Sequence, residues 1–142
     1  MTIRDIMTES PATCTPETNL RDVAQMMVEC DCGAVPVTGT NGAQGRAIGI
    51  ITDRDIVTRV VAKGQDPSRQ TVRDAMTSSI VTVRADGDVS ECASLMEEHQ
   101  VRRLIVVDED ERVVGICSQA DIALHADAHL TGSLVEEISH GS

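Results

Sequence analysis

The sequence predicts a mixed α/β (α+β) fold, in which two units of the order β-α-β-β-α pack through their sheets as a pseudo-twofold pair and a short C-terminal helix follows. The first observation is an internal repeat: TIRDIMT at residues 2–8 and TVRDAMT at residues 71–77 are identical at five of seven positions. The second is a pair of similar strings further on, GIITDRDI at 49–56 and GICSQADI at 115–122. Because the period is longer than that of typical solenoid repeats, we interpret the chain as two copies of one unit.

The repeat sets the predicted domain boundaries. The first unit covers residues 1–64, a polar linker covers residues 65–70, and the second unit covers residues 71–126. Residues 127–142 are predicted to form a terminal helix that docks on the body and then a loose end, because four apolar side chains fall on one helical face. These side chains are Leu130, Leu134, Val135 and Ile138.

The first half of each unit predicts a strand and then a helix. The short apolar stretches ATCT and IVTV are typical of strands. In the stretches NLRDVAQMMVEC and DVSECASLMEEH, apolar residues recur at helical spacing, and Asn19 and Asp88 stand where an N-cap is expected. The helical faces are predicted to consist of Leu20, Val23, Met26 and Met27, and of Val89, Cys92, Leu95 and Met96.

The second half of each unit predicts two more strands and a closing helix. The strands are GAVPV and AIGII in the first copy and RLIVV and VVGIC in the second, separated by the turn segments TGTNGAQG and DEDE. Each closing helix begins at a repeated hydroxyl residue, in TDRDIVTRVVAKG and in SQADIALHA.

The composition limits the classes of function. The chain of 142 residues contains no Phe, Tyr or Trp, so its core must be aliphatic, and it has no apolar run long enough for a membrane span or a signal peptide. We therefore expect a cytoplasmic protein without a membrane partner. The net charge of -11 argues against a nucleic-acid partner. Five scattered cysteines, an odd number, fit reduced thiols better than a disulfide framework.

The repeated Thr/Ser-x-x-Asp strings allow two interpretations. Thr52 and Ser118 are good N-caps, and an acid three residues later can close a capping box. Alternatively, the helix N-terminus and the hydroxyl donate to a phosphate, while Asp55 and Asp121 accept two hydrogen bonds from a ribose diol. Since the reciprocal bond of a capping box prefers the longer Glu or Gln, the two aspartates favour the second interpretation.

The repeat resembles the CBS domain, present as the tandem pair often called a Bateman module. The resemblance covers residues 2 to about 125 and rests on motifs that occur in order and twice: IRDIMT and VRDAMT, GAVPV and VRRLIVVDEDERVVGI, and the two Gly-x-x-Thr/Ser-x-x-Asp strings. It is similar in particular to the stand-alone bacterial proteins of this kind. The resemblance implies regulatory binding of an adenine-containing ligand (AMP, ADP, ATP, NAD or S-adenosylmethionine), no required cofactor, a homodimer, and signalling to an unknown downstream protein.

The same resemblance implies two clefts, each completed by the other copy. The first cleft contains Ser118 and Asp121, together with Ser10, Ala12, Cys32, Gly33, Arg102 and Ile116. The second contains Thr52 and Asp55, together with Ser79, Val81, Val101, Arg102, Ile50 and Arg54.

Arginines indicate where phosphates would bind. Arg54, Arg102 and Arg103 are the expected charge-assisted donors, although exposed arginines are often only solvated. The first copy has Gly33 and Ala34 where the second has Arg102 and Arg103, so unequal affinities are expected.

Two other functions remain as alternatives. One is a ligand-free interaction scaffold whose Thr/Ser-x-x-Asp strings only cap helices. The other is a thiol or metal stress sensor that uses Cys14, Cys30 and Cys32, although these residues lack the second cysteine pair or nearby histidine of a metal site. No nucleophile with a base and no phosphate-binding glycine loop occurs, so we expect a protein that is not an enzyme.

Overall fold

A computed structural model describes residues 1–125, which form six strands, four α-helices and four 3₁₀ helices of three residues each. The strands are β1 (Thr8–Glu9), β2 (Ala34–Thr38), β3 (Ala47–Thr52), β4 (Thr82–Arg84), β5 (Arg103–Val107) and β6 (Val113–Ser118). The helices are α1 (Leu20–Cys30), α2 (Asp53–Arg59), α3 (Val89–His99) and α4, which covers residues 119–125. The predicted terminal helix of residues 127–142 lies outside the described residues.

The predicted helix caps are confirmed. The Asn19 side chain accepts a hydrogen bond from the backbone N–H of Arg21, and that of Asp88 accepts one from Ser90. Helices α1 and α3 both end at a residue in the left-handed conformation, Asp31 and Gln100, each with φ of 53°. The two copies therefore use the same cap at both ends of this helix.

The strands follow the prediction with two differences. The hairpins β2-β3 and β5-β6 form as expected, and β4 lies parallel to β5. The predicted strand ATCT is wrong in extent, because it is reduced to one bridge between Cys14 and Val37. Strand β1 was not predicted, since its two residues carry no apolar alternation.

The opening segment of each copy, residues 2–8 or 71–77, crosses to the other copy and packs on its sheet. Strand β1 is antiparallel to β6, and in the equivalent place Thr77 pairs with Ile50 of β3. The backbone N–H of Ile3 donates to Gly87, and that of Val72 donates to Thr18. The hydrogen bonds of the two segments therefore hold the two copies to each other.

This exchange also builds the two hydrophobic cores. Ile3 and Met7 are buried in the core of the second copy, while Val72 and Ala75 are buried in that of the first. Full burial of an aliphatic side chain of this kind stabilises the fold by about 1.5–3 kcal/mol. The two opening segments, also the crossing segments, are thus part of the cores that they cover.

The exchange explains the glycine that opens each of the two Gly-x-x-Thr/Ser-x-x-Asp strings. A Cβ on Gly49 would lie 2.9 Å from the backbone oxygen of Thr77, and one on Gly115 would lie 2.9 Å from that of Thr8. Both distances are shorter than side chains tolerate, so only glycine lets the crossing segment approach the strand.

Candidate functional site

A cavity of about 460 Å³ opens where α4 begins, between the two copies. The second copy contributes the end of β6, the start of α4 and the residues before β5. The first copy contributes the end of α1, the start of β2 and the segment after β1. The lining residues are Thr8, Pro11, Ala12, Cys30, Cys32, Gly33, Ala34, Arg102, Arg103, Ile116, Ser118, Gln119, Ala120 and Asp121.

Most of the residues predicted for the first cleft meet in this cavity. Ala12, Cys32, Gly33, Arg102, Ile116, Ser118 and Asp121 line it, and so does Arg103. Ser10 is not among the lining residues. Its backbone is in the left-handed region, with φ of 46°, and its N–H donates to Val114.

The structure adds lining residues that sequence reasoning missed. These are Thr8, Pro11, Cys30, Ala34, Gln119 and Ala120. All are near neighbours of predicted residues along the chain. Thr8 reaches the cavity because β1 pairs with β6, a contact that the repeat alone does not reveal.

Both Thr/Ser-x-x-Asp strings form capping boxes. The N–H of Ser118 donates to Oδ2 of Asp121 (2.9 Å), and the N–H of Asp121 donates to the Ser118 hydroxyl (3.0 Å). Thr52 and Asp55 make the same two bonds at 3.1 Å. The expectation that aspartate disfavours a capping box is wrong here, because the shorter side chain of Asp55 or Asp121 closes the bond. The caps exist, and a ligand role must rest on other features.

The residue just before the first strand of each hairpin accepts a hydrogen bond from the first N–H group of the closing helix. The N–H of Gln119 donates to the backbone oxygen of Arg102 (2.8 Å), and that of Asp53 donates to Gly33 (3.0 Å). These bonds connect the start of α4 with the segment that carries the cavity arginines. They fix the backbone on which Arg102, Ser118 and Asp121 are presented.

Two arginines give the cavity a local positive charge. Arg102 and Arg103 are both exposed, and among residues 1–125 neither has a carboxylate partner within 4 Å, whereas Arg59, Arg69 and Arg73 do. Asp121 is the acidic residue of the lining, so the arginines outnumber acids there. Asp53 lies outside the lining but close to Arg103 beside Gly33, and its charge offsets part of this excess.

Gly33 leaves room for one of these arginines. A Cβ at this position would lie 3.2 Å from Nη2 of Arg103 and 3.0 Å from Oδ2 of Asp53. The guanidinium of the second copy therefore extends against the first copy, across the mouth between them.

The cavity wall also contains a disulfide. We expected reduced thiols, but Cys30 and Cys32 are bonded, with their Cα atoms 5.4 Å apart. The left-handed Asp31 between them turns the chain so that the two side chains meet. Cys14, Cys92 and Cys117 are free and buried.

The buried thiols have shifted acidities. Burial raises the pKa of the Cys14 thiol to about 12, and its sulfur contacts the backbone oxygen of Pro36 at 3.7 Å. A hydrogen bond between Cys92 and Cys117 lowers the pKa of Cys92 and raises that of Cys117. Because thiolates are the reactive form, Cys14 is poorly suited to the sensor role considered above.

Four residues predicted for the second cleft lie on β3 and α2, the elements equivalent to β6 and α4: Ile50, Thr52, Arg54 and Asp55. Arg59 approaches Asp55 at 3.7 Å and donates to the backbone oxygens of Ala75 and Met76. None of the residues predicted only for this cleft lines the cavity of 460 Å³. The placements of those residues are as follows: Thr52 caps α2, Arg54 and Ser79 are exposed, Val81 packs against the core of the second copy, Ile50 pairs with Thr77, and Val101 donates to Met96.

Residues 1–125 show neither a membrane span nor a metal centre. No helix there is long and apolar enough to cross a membrane. Within the same range no cluster of three or more His, Cys, Asp or Glu side chains could hold a metal ion.

The fold and the interdomain cavity define a pair of CBS domains. The CBS domain family matches residues 3–62 and 72–127, and the chain belongs to this family. It is 42% identical to Hypoxic response protein 1 of Mycobacterium tuberculosis, over 96% of this chain and 93% of that protein. It is 36% identical to the uncharacterized protein YlbB of Bacillus subtilis, over 98% of this chain and 92% of that protein. The predicted resemblance and fold class are confirmed.

Solved structures agree with this assignment. The structure of Hypoxic Response Protein I with two coordinated zinc ions has a TM-score of 0.76 and 39% identity, and covers 88% of this chain and 98% of that chain. The CBS domain pair of protein MJ0100, in complex with 5′-methylthioadenosine and S-adenosyl-L-methionine, has a TM-score of 0.79 and 25% identity. That alignment covers 91% of this chain and 98% of the other chain.

Proposed function

We propose that this protein is a non-catalytic regulatory module that binds an adenine-containing ligand between its two CBS domains. The observation that supports this proposal is the cavity at the start of α4, which Arg102, Arg103 and Asp121 line together. Among residues 1–125, no carboxylate lies within 4 Å of either guanidinium. Its volume of about 460 Å³ lies within the range usual for small-molecule sites.

The ligand groups divide among the lining residues by their chemistry. Arg102 and Arg103 donate to the phosphate or, in S-adenosylmethionine, to the carboxylate. Asp121 accepts from the ribose hydroxyls with the oxygen that does not cap α4. The base lies among Ala12, Cys32 and Ile116, and backbone groups recognise its edge, because the chain has no aromatic ring for stacking.

Under this proposal the two clefts differ in their affinity for the ligand. In the second cleft, Asp55 is held by both Thr52 and Arg59, and Arg59 is itself bonded to the crossing segment. The first cleft has the arginine pair. We therefore expect the site at Asp121 to bind first, and the site of Thr52, Arg54 and Ser79 to bind more weakly.

The module is proposed to act in the cytoplasm as a homodimer that passes its ligand state to a downstream protein. Such coupling requires that the ligand has different affinities for two arrangements of the halves. The exchanged opening segments support this, because movement of one half would displace Met7 or Met76 in the core of the other.

The test uses the lack of Tyr and Trp in the chain. The protein is nearly transparent near 280 nm, so a nucleotide carried through purification gives a 260 nm band that dominates its ultraviolet spectrum. Melting temperatures are then measured with AMP, ADP, ATP, NAD and S-adenosylmethionine, since a bound ligand stabilises the fold by mass action. GMP serves as the control for the base. No band and no shift with any of the five ligands would refute the proposal.

A ligand-free interaction scaffold is the second candidate, and the complete capping boxes favour it. Under this alternative Asp121 and Asp55 only hold the starts of α4 and α2. Their removal would then lower stability equally, and the wild-type protein would bind no nucleotide.

A further inference from the structure

We infer that Cys30 and Cys32 form a thiol–disulfide exchange site that sets the affinity of the neighbouring cavity. This inference rests on the proposed function, since it concerns the same site. Both cysteines line the cavity, together with Gly33, Arg102 and Asp121, and they are joined in the structure. A change in their oxidation state is therefore a change in the wall that the ligand meets.

The pair is placed for exchange with a reductant. Cys30 is exposed at the last residue of α1, whereas Cys32 is half-buried and packs against the core of the first copy. Exchange requires access to a sulfur atom, which Cys30 provides. The other cysteines lack this access, because Cys14, Cys92 and Cys117 are buried.

The second copy shows that this turn does not need a disulfide. Its helix α3 ends in the same way: Gln100 is left-handed, with φ of 53° and ψ of 46°, and the N–H of Val101 donates to Met96 (3.0 Å). In the first copy Asp31 has φ of 53° and ψ of 49°, and the N–H of Cys32 donates to Met27 (3.0 Å). Since His99 and Val101 stand where the first copy has cysteines, backbone hydrogen bonds alone hold the turn. Reduction is expected to leave the fold intact and to act on the cavity wall.

A dithiol reductant supplies the electrons and protons of the exchange step. A thiolate of the reductant attacks one protein sulfur, the Cys30–Cys32 bond breaks, and the released cysteine thiolate takes a proton. The second thiolate of the reductant then attacks the mixed disulfide, frees the other cysteine, and closes the disulfide of the reductant. Two electrons and two protons pass from the reductant to the protein.

Reduction is expected to weaken ligand binding. The bonded form fixes both side chains, so the wall is ordered before the ligand arrives. The two free thiols must separate to van der Waals distance and regain rotamer freedom, which binding must then remove. The expected effect is a three- to tenfold higher Kd in the reduced form.

The experiment measures AMP affinity by calorimetry on the full-length protein, after equilibration in oxidised or reduced dithiothreitol. Intact mass after alkylation counts the free thiols in each state. The variants Cys32→Val, which copies the second domain, and Cys30→Ser cannot close the bond. We expect wild type to bind AMP three- to tenfold more tightly when oxidised, and each variant to bind AMP with an affinity that does not differ between the two conditions.

The possible failures are distinguishable. If wild type binds AMP with equal or higher affinity when reduced, or if the pair does not re-form, the exchange site is refuted and nucleotide binding stands. If neither state binds AMP nor any other adenine-containing ligand, the proposed function fails, and redox control of binding fails with it.

Discussion

Asp121 has two separable roles at the residue scale, because it closes the cap of α4 and also lines the cavity. We expect Asp121→Ala to lower the free energy of unfolding by about 1 kcal/mol, the net contribution of a typical hydrogen bond. It should also weaken AMP binding by about 1–3 kcal/mol, the range for losing bonds to a charged group. Denaturant unfolding and calorimetry measure the two effects independently.

Asp55→Ala is the matched control for that substitution. It removes the matching bond from the backbone N–H of Thr52 at the start of α2, together with the 3.7 Å contact with Arg59, but Asp55 does not line the cavity. Its stability should fall by a similar amount while the affinity of the stronger AMP site is unchanged. Equal losses of AMP affinity in the two variants would show that they act through the stability of the fold and not through a contact between Asp121 and the ligand.

Arg103 provides a second residue-scale prediction, which concerns the phosphate. We expect Arg103→Ala to weaken AMP binding by about 1–3 kcal/mol and to leave adenosine binding nearly unchanged, because the lost bond is to a charged oxygen. Arg69→Ala, at an exposed ion pair away from the cavity, is the control. An equal loss for AMP and adenosine would mean that Arg103 supports the wall and does not bind phosphate.

The cavity could be predicted in part from single residues. The Gly-x-x-Thr/Ser-x-x-Asp strings and the Arg102–Arg103 pair indicated the cavity, because these residue types can bind ribose hydroxyls and phosphate. The Cys30–Cys32 bond was not predicted, since it depends on the left-handed Asp31 bringing the side chains together. The odd number of cysteines favoured reduced thiols, but the local backbone geometry brings Cys30 and Cys32 close enough to form a disulfide.

At the scale of elements, the crossing segments decide how the copies are held together. Ile3 lies near the chain terminus, yet it is fully buried in the core of the second copy. We expect Ile3→Ala to reduce the free energy of unfolding by about 2–5 kcal/mol, as large-to-small core substitutions do. Urea denaturation followed by far-ultraviolet circular dichroism measures it.

Val28→Ala is the surface control for the core substitution. This side chain is 80% exposed on α1, so its truncation should change stability by no more than about 0.5 kcal/mol. If Ile3→Ala were equally mild, the exchanged segment would not be part of the core.

Strong local patterns explain which elements were predictable. The helices α1 and α3 and the two hairpins carry apolar spacing, caps and turn residues that agree with one another. The ATCT stretch and β1 lack such agreement. Their pairing is decided by contacts with distant chain, such as Thr8 with Ile116, which a local pattern cannot encode.

At the scale of the whole molecule, several aspartates make stability depend on pH. Hydrogen bonds from Thr2 hold the pKa of Asp5 below its usual value, and bonds from Ser68 and Ser90 do the same for Asp66 and Asp88. A lowered pKa in the folded state stabilises the fold above the unfolded value of about 3.9 and loses this contribution as pH falls through the folded value.

The free energy of unfolding should therefore fall as the pH is lowered from about 5 towards 2. Urea titrations across this range measure the slope. Asp88→Asn removes one of the titrating groups and should make the decrease smaller. A stability that stayed constant or rose over this range would show that these bonds do not contribute.

We propose above that an adenine-containing ligand occupies the cavity between the two CBS domains, and a crystal structure of the protein with saturating AMP tests this. We expect nucleotide density with its phosphate at Arg102 and Arg103 and its ribose at Asp121. An empty cavity at saturating AMP, or nucleotide bound on another surface, would contradict it.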